Sequence, residues 1–386
     1  MSWSLFFLII TVASWIYWVT ACWCVISFFR EPQPEADPEA PPVSLLKPMC
    51  GVDAEAYENL RSFVAQDYPC YEILCGVTDP DDPALDLVRQ LQREFPQCPI
   101  RAIVAPPRGA NDKVSVLCSL AEQANYDILV ACDSDMRVGS DYLRRVCAPL
   151  QDPAVGLVTC LYRGERPESL TAVLEALYIG ASFIPSVLVA RRYLRMGFAM
   201  GATMALRRAQ LREIGGFEAI ADYLADDYEL GARVKAAGYR VHLSGYVTRT
   251  VLGATTLRQQ WEREVRWAKC ARVSRPLEYP ALLLTFSTPL ALLVAVSLGF
   301  STLGCAIVAT SLLVRWLVAW QVSARTEDRV VRQAWPWLPV RDVLTAAVWC
   351  AAGVGRQVAW RGRRYVLSEG GRLQQCLPRQ VQEVLR

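Results

Sequence analysis

The chain has 386 residues, 53% of them hydrophobic, and a formal net charge of only +3. That length accommodates one large domain plus membrane segments. So small a charge argues against a nucleic-acid binder that works by neutralising phosphates, and the apolar excess gathers at the two ends of the chain.

From Trp3 to Phe29 no residue is charged. As a helix this stretch is roughly 40 Å long, ample for a hydrocarbon core of about 30 Å. Nothing basic precedes it, and it is too long for a signal-peptide core. It therefore predicts an uncleaved anchor over residues 1–30. An acidic, Pro-rich spacer follows over residues 31–42, semi-rigid and without a core of its own.

Residues 43–274 alternate short apolar runs with helical periodicity. Strands are predicted at Val43–Leu46, Glu72–Val77, Ile100–Val104, Ile128–Cys132 and Val155–Leu161. Helices are predicted at Ala54–Ala65, Ala84–Glu94, Val114–Gln123 and Tyr142–Leu150. This alternation predicts an α/β fold with a mostly parallel sheet, in which ligands bind beyond the carboxyl ends of the strands. No G-x-G-x-x-G follows the first strand and no Walker A sequence is present, which disfavours nicotinamide, flavin and P-loop chemistry.

From Tyr279 to Val322 the only charge is Arg315, and the length suffices for two crossings, a hairpin over 275–323. Arg315 is expected to snorkel from the end of its helix. Arg325, Arg329, Arg332 and Arg341 follow, so the positive-inside rule makes that side cytoplasmic. Two crossings return the chain to its starting side, which makes the preceding domain cytoplasmic as well. The fourteen cysteines include no C-x-x-C, and read as small buried hydrophobes in a reducing compartment. In the basic tail, 324–386, the apolar segment Val343–Trp360 contains Arg356 and two glycines and runs into Arg361, Arg363 and Arg364. A crossing there would carry that basic cluster outside, so an interfacial or re-entrant helix is expected.

Four charged clusters fall where loops leave the predicted sheet. Asp79 adjoins the second strand in a turn rich in Asp and Pro, where Asp81 and Asp82 read as turn residues. Asp133-Ser134-Asp135 ends a buried strand; side chains at i and i+2 of an extended segment point the same way, and paired oxygens suit a hard divalent cation. Asp226-Asp227 opens a helix, where acids also complement the dipole. Arg263, Arg266 and Trp267 share one helix face, which also suits an amphipathic interfacial helix. His242, the only histidine, lies in a strand-like run and reads as structural.

The four clusters resemble the signature of family-2-like glycosyltransferases of GT-A fold: D, D-x-D, Glu/Thr-Asp and Gln/Arg-x-x-Arg-Trp. The runs Ser44–Pro48 with Gly51, Asp79–Pro83, Gly109–Lys113, Asp133–Val138, Val155–Val158 and Trp360–Tyr365 are similar to the ceramide glucosyltransferase family. Phe183–Ala190 and Met200–Thr203 look like its bacterial branch associated with hopanoid glycosylation. The resemblance implies a Rossmann-like GT-A catalytic domain in an integral membrane protein of the bacterial inner membrane. It also implies a UDP-sugar donor and a membrane lipid acceptor, hopanoid or ceramide. Asp135 would bind Mg²⁺ or Mn²⁺, and Asp133 and Asp79 would hold the ribose and uracil, assisted by Lys113. Arg266, and more weakly Arg263, would add charge at the diphosphate, while Trp267 packs beside donor or acceptor. Asp227 would be the general base of an inverting displacement. Asp226 stands where related enzymes often carry Glu, leaving open which acid of the pair is the base, and Arg263 stands where many polysaccharide synthases carry Gln. A processive polysaccharide synthase and a non-catalytic membrane scaffold are the alternatives.

Overall fold

The computed structural model describes residues 3–35, 40–360 and 363–375; Arg361 lies outside them. Helix α1 (Trp3–Phe28) leads to a βα alternation: β1 (Val43–Pro48), α2 (Ala56–Val64), β2 (Tyr71–Val77), α3 (Ala84–Glu94), β3 (Ile100–Val104), α4 (Asp112–Gln123) and β4 (Ile128–Ala131). These strands pair in parallel in the order β3-β2-β1-β4. They are covered on both faces and therefore read as apolar runs. Leu45, Ile73 and Val130 face α2, α3 and the later α5 (Tyr142–Cys147), while Leu46, Leu74 and Leu129 face α4.

Beyond β4 the sheet becomes mixed. The short β5 (Met136–Arg137) pairs antiparallel with β8 (Arg240–Gly253), which runs parallel to β6 (Val155–Pro167). Between β6 and β4 lies β7 (Met204–Arg207), antiparallel to both. Helices α8 (Arg208–Glu213) and α9 (Asp226–Ala236) then close the α4 face, with Leu211, Leu230 and Val234 buried there.

Between β6 and β7 the chain forms α6 (Leu170–Tyr178), a π-helical turn (Ile179–Phe183) and α7 (Ile184–Tyr193). This unit of 24 residues is long and apolar enough to cross a membrane, yet 72% of its apolar window is buried within the protein. After α10 (Leu257–Ser274) come a 3-10 turn (Tyr279–Thr285) bent by 70° against α11 (Ser287–Ser297), and then α12 (Thr302–Arg325). By length and composition three helices can cross a bilayer, or four if the bent pair is one span, among the described residues. Trp18, Ala21 and Val25 of α1 pack against α7 and α12 through Ile184, Leu188, Val318 and Val322.

Arg315 does not snorkel. It sits within α12, buried, and gives its guanidinium to Asp342 (Nη2 to Oδ1, 2.8 Å), to Ala181 O at 2.8 Å and to Ser182 Oγ at 2.9 Å, above the Trp18 ring. The last two acceptors belong to the π-helical turn, where the altered backbone pattern offers a carbonyl. Arg341 likewise is no headgroup cation. On α14 (Leu338–Ala352), which follows α13 (Arg329–Ala334), it is fully buried and pairs bidentately with Glu264 of α10 at 2.8 and 2.7 Å. Truncating one partner leaves the other charge buried and alone, so Arg341→Ala is expected to cost about 3–5 kcal/mol. The double variant Arg341→Met/Glu264→Leu is expected to lose far less. Thermal unfolding in detergent compares them, and equal losses would sink the pairing argument.

The segment Val343–Trp360 is not one interfacial helix. Its first half belongs to α14, which ends where Gly353 and Gly355 (φ +69°) break the helix. Its second half is β9 (Gln357–Trp360), which pairs antiparallel with β10 (Arg363–Leu367); β10 in turn pairs with β11 (Leu373–Gln375). Apolar residues there follow strand rather than helix spacing. His242 lies within β8, and burial and nearby Arg191 push its pKa down to about 4, so it is neutral at physiological pH.

Candidate active site

The site forms beyond the carboxyl ends of β1 and β4, where α4 and α9 begin. Asp133 leaves β4 with its N–H bonded to Gly201 O at 3.1 Å and its own carbonyl accepting from Lys47 Nζ at 2.5 Å. Lys47 is wholly buried in β1, and its ammonium lies 3.9 Å from the centre of the Phe63 ring. The Asp133 carboxylate meets Lys113 Nζ at 2.7 Å, and the same ammonium lies 3.0 Å from Asp226. Lys113 occupies the first turn of α4, whose start is fixed by Asn111 accepting from Val114 N–H. Burial works against its charge, but Asp133, Asp226 and Asp227 outweigh that and hold its pKa above the usual lysine value.

Asp135 is placed two residues on. Its Oδ2 accepts from the Thr250 hydroxyl at 2.8 Å, and its carbonyl accepts from Val251 N–H at 3.1 Å. Burial, then the charge of Asp133, pushes its carboxyl up to about 7, despite the Thr250 bond. Ser134 between them donates to Asp53 Oδ2 at 2.6 Å, which brings the β1–α2 loop to the cluster.

Asp227 opens α9 beside Asp226. Its Oδ2 accepts from Gly201 N–H at 2.9 Å and its Oδ1 from Tyr228 N–H at 2.8 Å. Burial, then Asp226, raises its pKa to about 6, with Lys113 opposing. Gly201 thus joins two acids of the cluster, accepting from Asp133 N–H and donating to Asp227. A Cβ there would fall 2.5 Å from Asp133 Oδ2 and 2.9 Å from Lys113 Nζ, so a side chain at this position would displace the Asp133–Lys113 pair.

The other expected residues lie around this centre. Asp79 stands in the loop after β2, where its Oδ1 accepts from Asp81 N–H at 3.0 Å. With Thr78, Pro107, Asp112, Arg363 and Tyr365 it lines a cavity of about 470 Å³. Asp82 is occupied structurally, accepting from Gly51 and Ala84 N–H. Although Arg263 and Arg266 both sit on α10, their contacts diverge. Arg263 pairs with buried Glu175 of α6 and lies 5.9 Å from the Trp267 ring, whereas Arg266 reaches Ala359 O of β9 at 3.4 Å. Burial pushes up the thiol of Cys270, one turn beyond Arg266, which also lies within electrostatic reach of Arg266, Asp227 and Asp226.

Asp53, Gly201, Thr250, Arg363 and Tyr365 were absent from the residues expected at the site. The position of Asp53 after a predicted strand was a usable signal, whereas Thr250 comes from an antiparallel pairing that no local pattern encodes.

Chemically, the acids Asp53, Asp133, Asp135, Asp226 and Asp227 surround Lys47 and Lys113, so negative charge is in excess. An oxygen-only donor set with negative charge in excess suits a hard divalent cation. Among the described residues no three His, Cys, Asp or Glu side chains form a metal cage.

Fold and site define a GT-A-type glycosyltransferase. The chain belongs to glycosyl transferase family 21, whose model matches residues 6–373. It is 26% identical over 237 residues to ceramide glucosyltransferase 1 of Caenorhabditis elegans, covering 61% of this chain and 51% of that protein. It is 32% identical over 113 residues to a ceramide glucosyltransferase of Komagataella phaffii, covering 28% of this chain and 22% of that one. The chain thus spans about half the length, or less, of these curated relatives. Among solved structures it is similar to the mannosyltransferase PcManGT from Pyrobaculum calidifontis, solved with GDP-Man and Mn²⁺, with 20% identity and a TM-score of 0.57. That match covers 91% of this chain and 97% of the other, and at this identity it speaks for the fold alone.

Proposed function

We propose that the protein is an inverting, metal-dependent glycosyltransferase. It moves a hexose, glucose or N-acetylglucosamine, from a UDP-sugar to the hydroxyl of a membrane lipid, hopanoid or ceramide, at the cytoplasmic face. Residues 43–274 form the catalytic domain, with 1–30 as anchor, 275–323 as hairpin and 324–386 as the membrane-proximal tail. The observation that carries this reading is the half-buried Asp227. Held by two backbone N–H groups and raised to about 6, it is ionised at neutral pH yet basic enough to take a proton.

In this reading Asp227 removes the proton of the acceptor hydroxyl as that oxygen attacks the anomeric carbon opposite UDP. A single displacement inverts an α-linked donor to a β-glycoside. Asp133, Asp79 and Lys113 hold the nucleoside side of the donor, and Asp135 is the residue that would hold Mg²⁺ or Mn²⁺. Such a cation, when bound, neutralises the departing diphosphate as a Lewis acid. Arg266 adds fixed positive charge on the α10 side, while Arg263, committed to Glu175, fixes the helix. Arg325, Arg329 and Arg332 after the hairpin support the cytoplasmic orientation.

The test is to incubate the purified protein in vesicles containing ceramide or a hopanoid with UDP-glucose or UDP-N-acetylglucosamine, then to examine the lipids by mass spectrometry. A new hexosyl lipid is expected with one donor–acceptor pair. No glycolipid from any pair, with the protein folded, would overturn the reading.

A further inference from the structure

The cavity of about 470 Å³ beside the acid cluster is walled by residues from two distant parts of the chain. Thr78 and Asp79 follow β2, and Asp112 begins α4, whereas Arg363 and Tyr365 come from β10, beyond the hairpin in sequence. The C-terminal sheet is anchored there. Leu224 N–H donates to Gly371 O at 3.3 Å, Leu373 N–H to Asp222 O at 2.7 Å, and Arg372 Nε to the Tyr223 hydroxyl at 3.0 Å. Tyr365, Leu367 and Leu373 bury their side chains with Leu224. The same 222–224 loop fixes the other wall, because Asp222 accepts from Ala110 N–H at 3.0 Å and Tyr223 O from Asn111 at 2.8 Å. This loop leads directly into Asp226 and Asp227.

Along β10 side chains alternate, so Arg363 and Tyr365 share the face toward the cavity and Arg364 takes the other. The cations nearer the centre are committed: Lys113 lies between Asp133 and Asp226, and Arg266 reaches Ala359 O. Arg363 is held more loosely, by the neighbouring Tyr365 hydroxyl and by Asp112. Its Nη1 lies 3.7 Å from Asp112 Oδ2 with the side chain 57% exposed, a pairing that contributes little. A guanidinium so placed can exchange that carboxylate for the bidentate contact that phosphate offers.

We propose that β10 is part of the donor site: Tyr365 walls the nucleoside cavity, and Arg363 leaves Asp112 to bind the diphosphate of the incoming nucleoside diphosphate-sugar. This rests on the UDP-sugar reading above. The C-terminal sheet then serves as a clamp on the donor, contributed from beyond the membrane hairpin and fastened to the loop that carries the catalytic base.

The test measures binding of UDP and of uridine to the full-length protein and to Arg363→Gln, Arg363→Glu and Arg364→Gln, with unfolding midpoints for each. Arg363→Gln is expected to weaken UDP binding by about tenfold or more, as befits loss of a charged hydrogen bond. Arg363→Glu should lose more, while uridine binding and the Arg364→Gln variant change little. KM for the UDP-sugar should rise with UDP affinity, leaving kcat nearly unchanged. UDP affinity unchanged in Arg363→Gln and Arg363→Glu, or an equal loss for UDP and uridine, overturns the clamp and leaves the donor reading standing. A wild-type protein that binds no UDP overturns the donor reading itself, and the clamp with it.

Discussion

Replacing Asp227 by Asn is expected to lower sugar transfer at least about a hundredfold, the lower end of what a positioned general base contributes. The isosteric change keeps the size of the side chain but removes its basicity. It also puts an NH₂ where an N–H now donates, because both carboxylate oxygens accept, from Gly201 and from Tyr228. One mismatched donor costs about 1–3 kcal/mol. Against this, a carboxyl raised from 3.8 to about 6 carries on the order of 3 kcal/mol against its ionised form, and the amide is free of that penalty. The two effects oppose, so the unfolding midpoint at pH 8 should move little and the lost activity cannot be ascribed to unfolding. The pH profile adds a signature. A base must be ionised, so the wild-type rate should fall with decreasing pH through about 6, and the residual rate of the variant should show no such limb. Full activity in the variant would remove Asp227 from the role and turn attention to Asp226.

The parallel half of the sheet was legible because it is buried on both faces: β3 and α3 have the predicted limits, and β1, β2 and β4 differ by one or two residues. The D-x-D acids and Lys113 converge because they sit at the carboxyl end of β4 and at the start of the helix that follows β3, whereas the Asp226–Asp227 pair reaches them on α9, after antiparallel β7 and α8. What was hidden depends on partners far along the chain. Arg315 finds Asp342, and Arg341 finds Glu264, through helix packing that periodicity cannot display. Charge in an apolar run therefore reads as a membrane-surface group although it is paired inside the bundle. The run Leu170–Tyr193 reads as apolar throughout, but so does a core helix, and the π-helical turn has no sequence mark of its own. The C-terminal sheet was missed for a different reason. Gly353 and Gly355 are ordinary helix terminators, but the apolar content of the segment masks them.

Asp135→Asn is expected to have the second large effect, with opposite signs for stability and activity. In the metal-free protein the Asp135 carboxyl is raised from 3.8 to about 7, chiefly by burial and then by Asp133. A carboxyl raised on folding contributes full stability below the unfolded value and loses it as pH climbs through the folded one. At pH 8 that loss is on the order of 4 kcal/mol, and asparagine escapes it while still accepting from the Thr250 hydroxyl through its own oxygen. The metal-free variant should therefore unfold at a higher temperature than wild type at pH 8, with the difference shrinking toward pH 4. Mn²⁺ or Mg²⁺ with UDP should reverse the order, because a ligand that binds only the folded wild-type site stabilises it by mass action. Activity should fall by about a thousandfold, in keeping with the several kcal/mol that a Lewis acid supplies to a departing diphosphate. Unfolding curves with and without cation, read beside transfer rates in excess EDTA, separate these effects. A wild-type enzyme fully active in EDTA, or a variant that cation and UDP stabilise as much as wild type, would detach Asp135 from the metal.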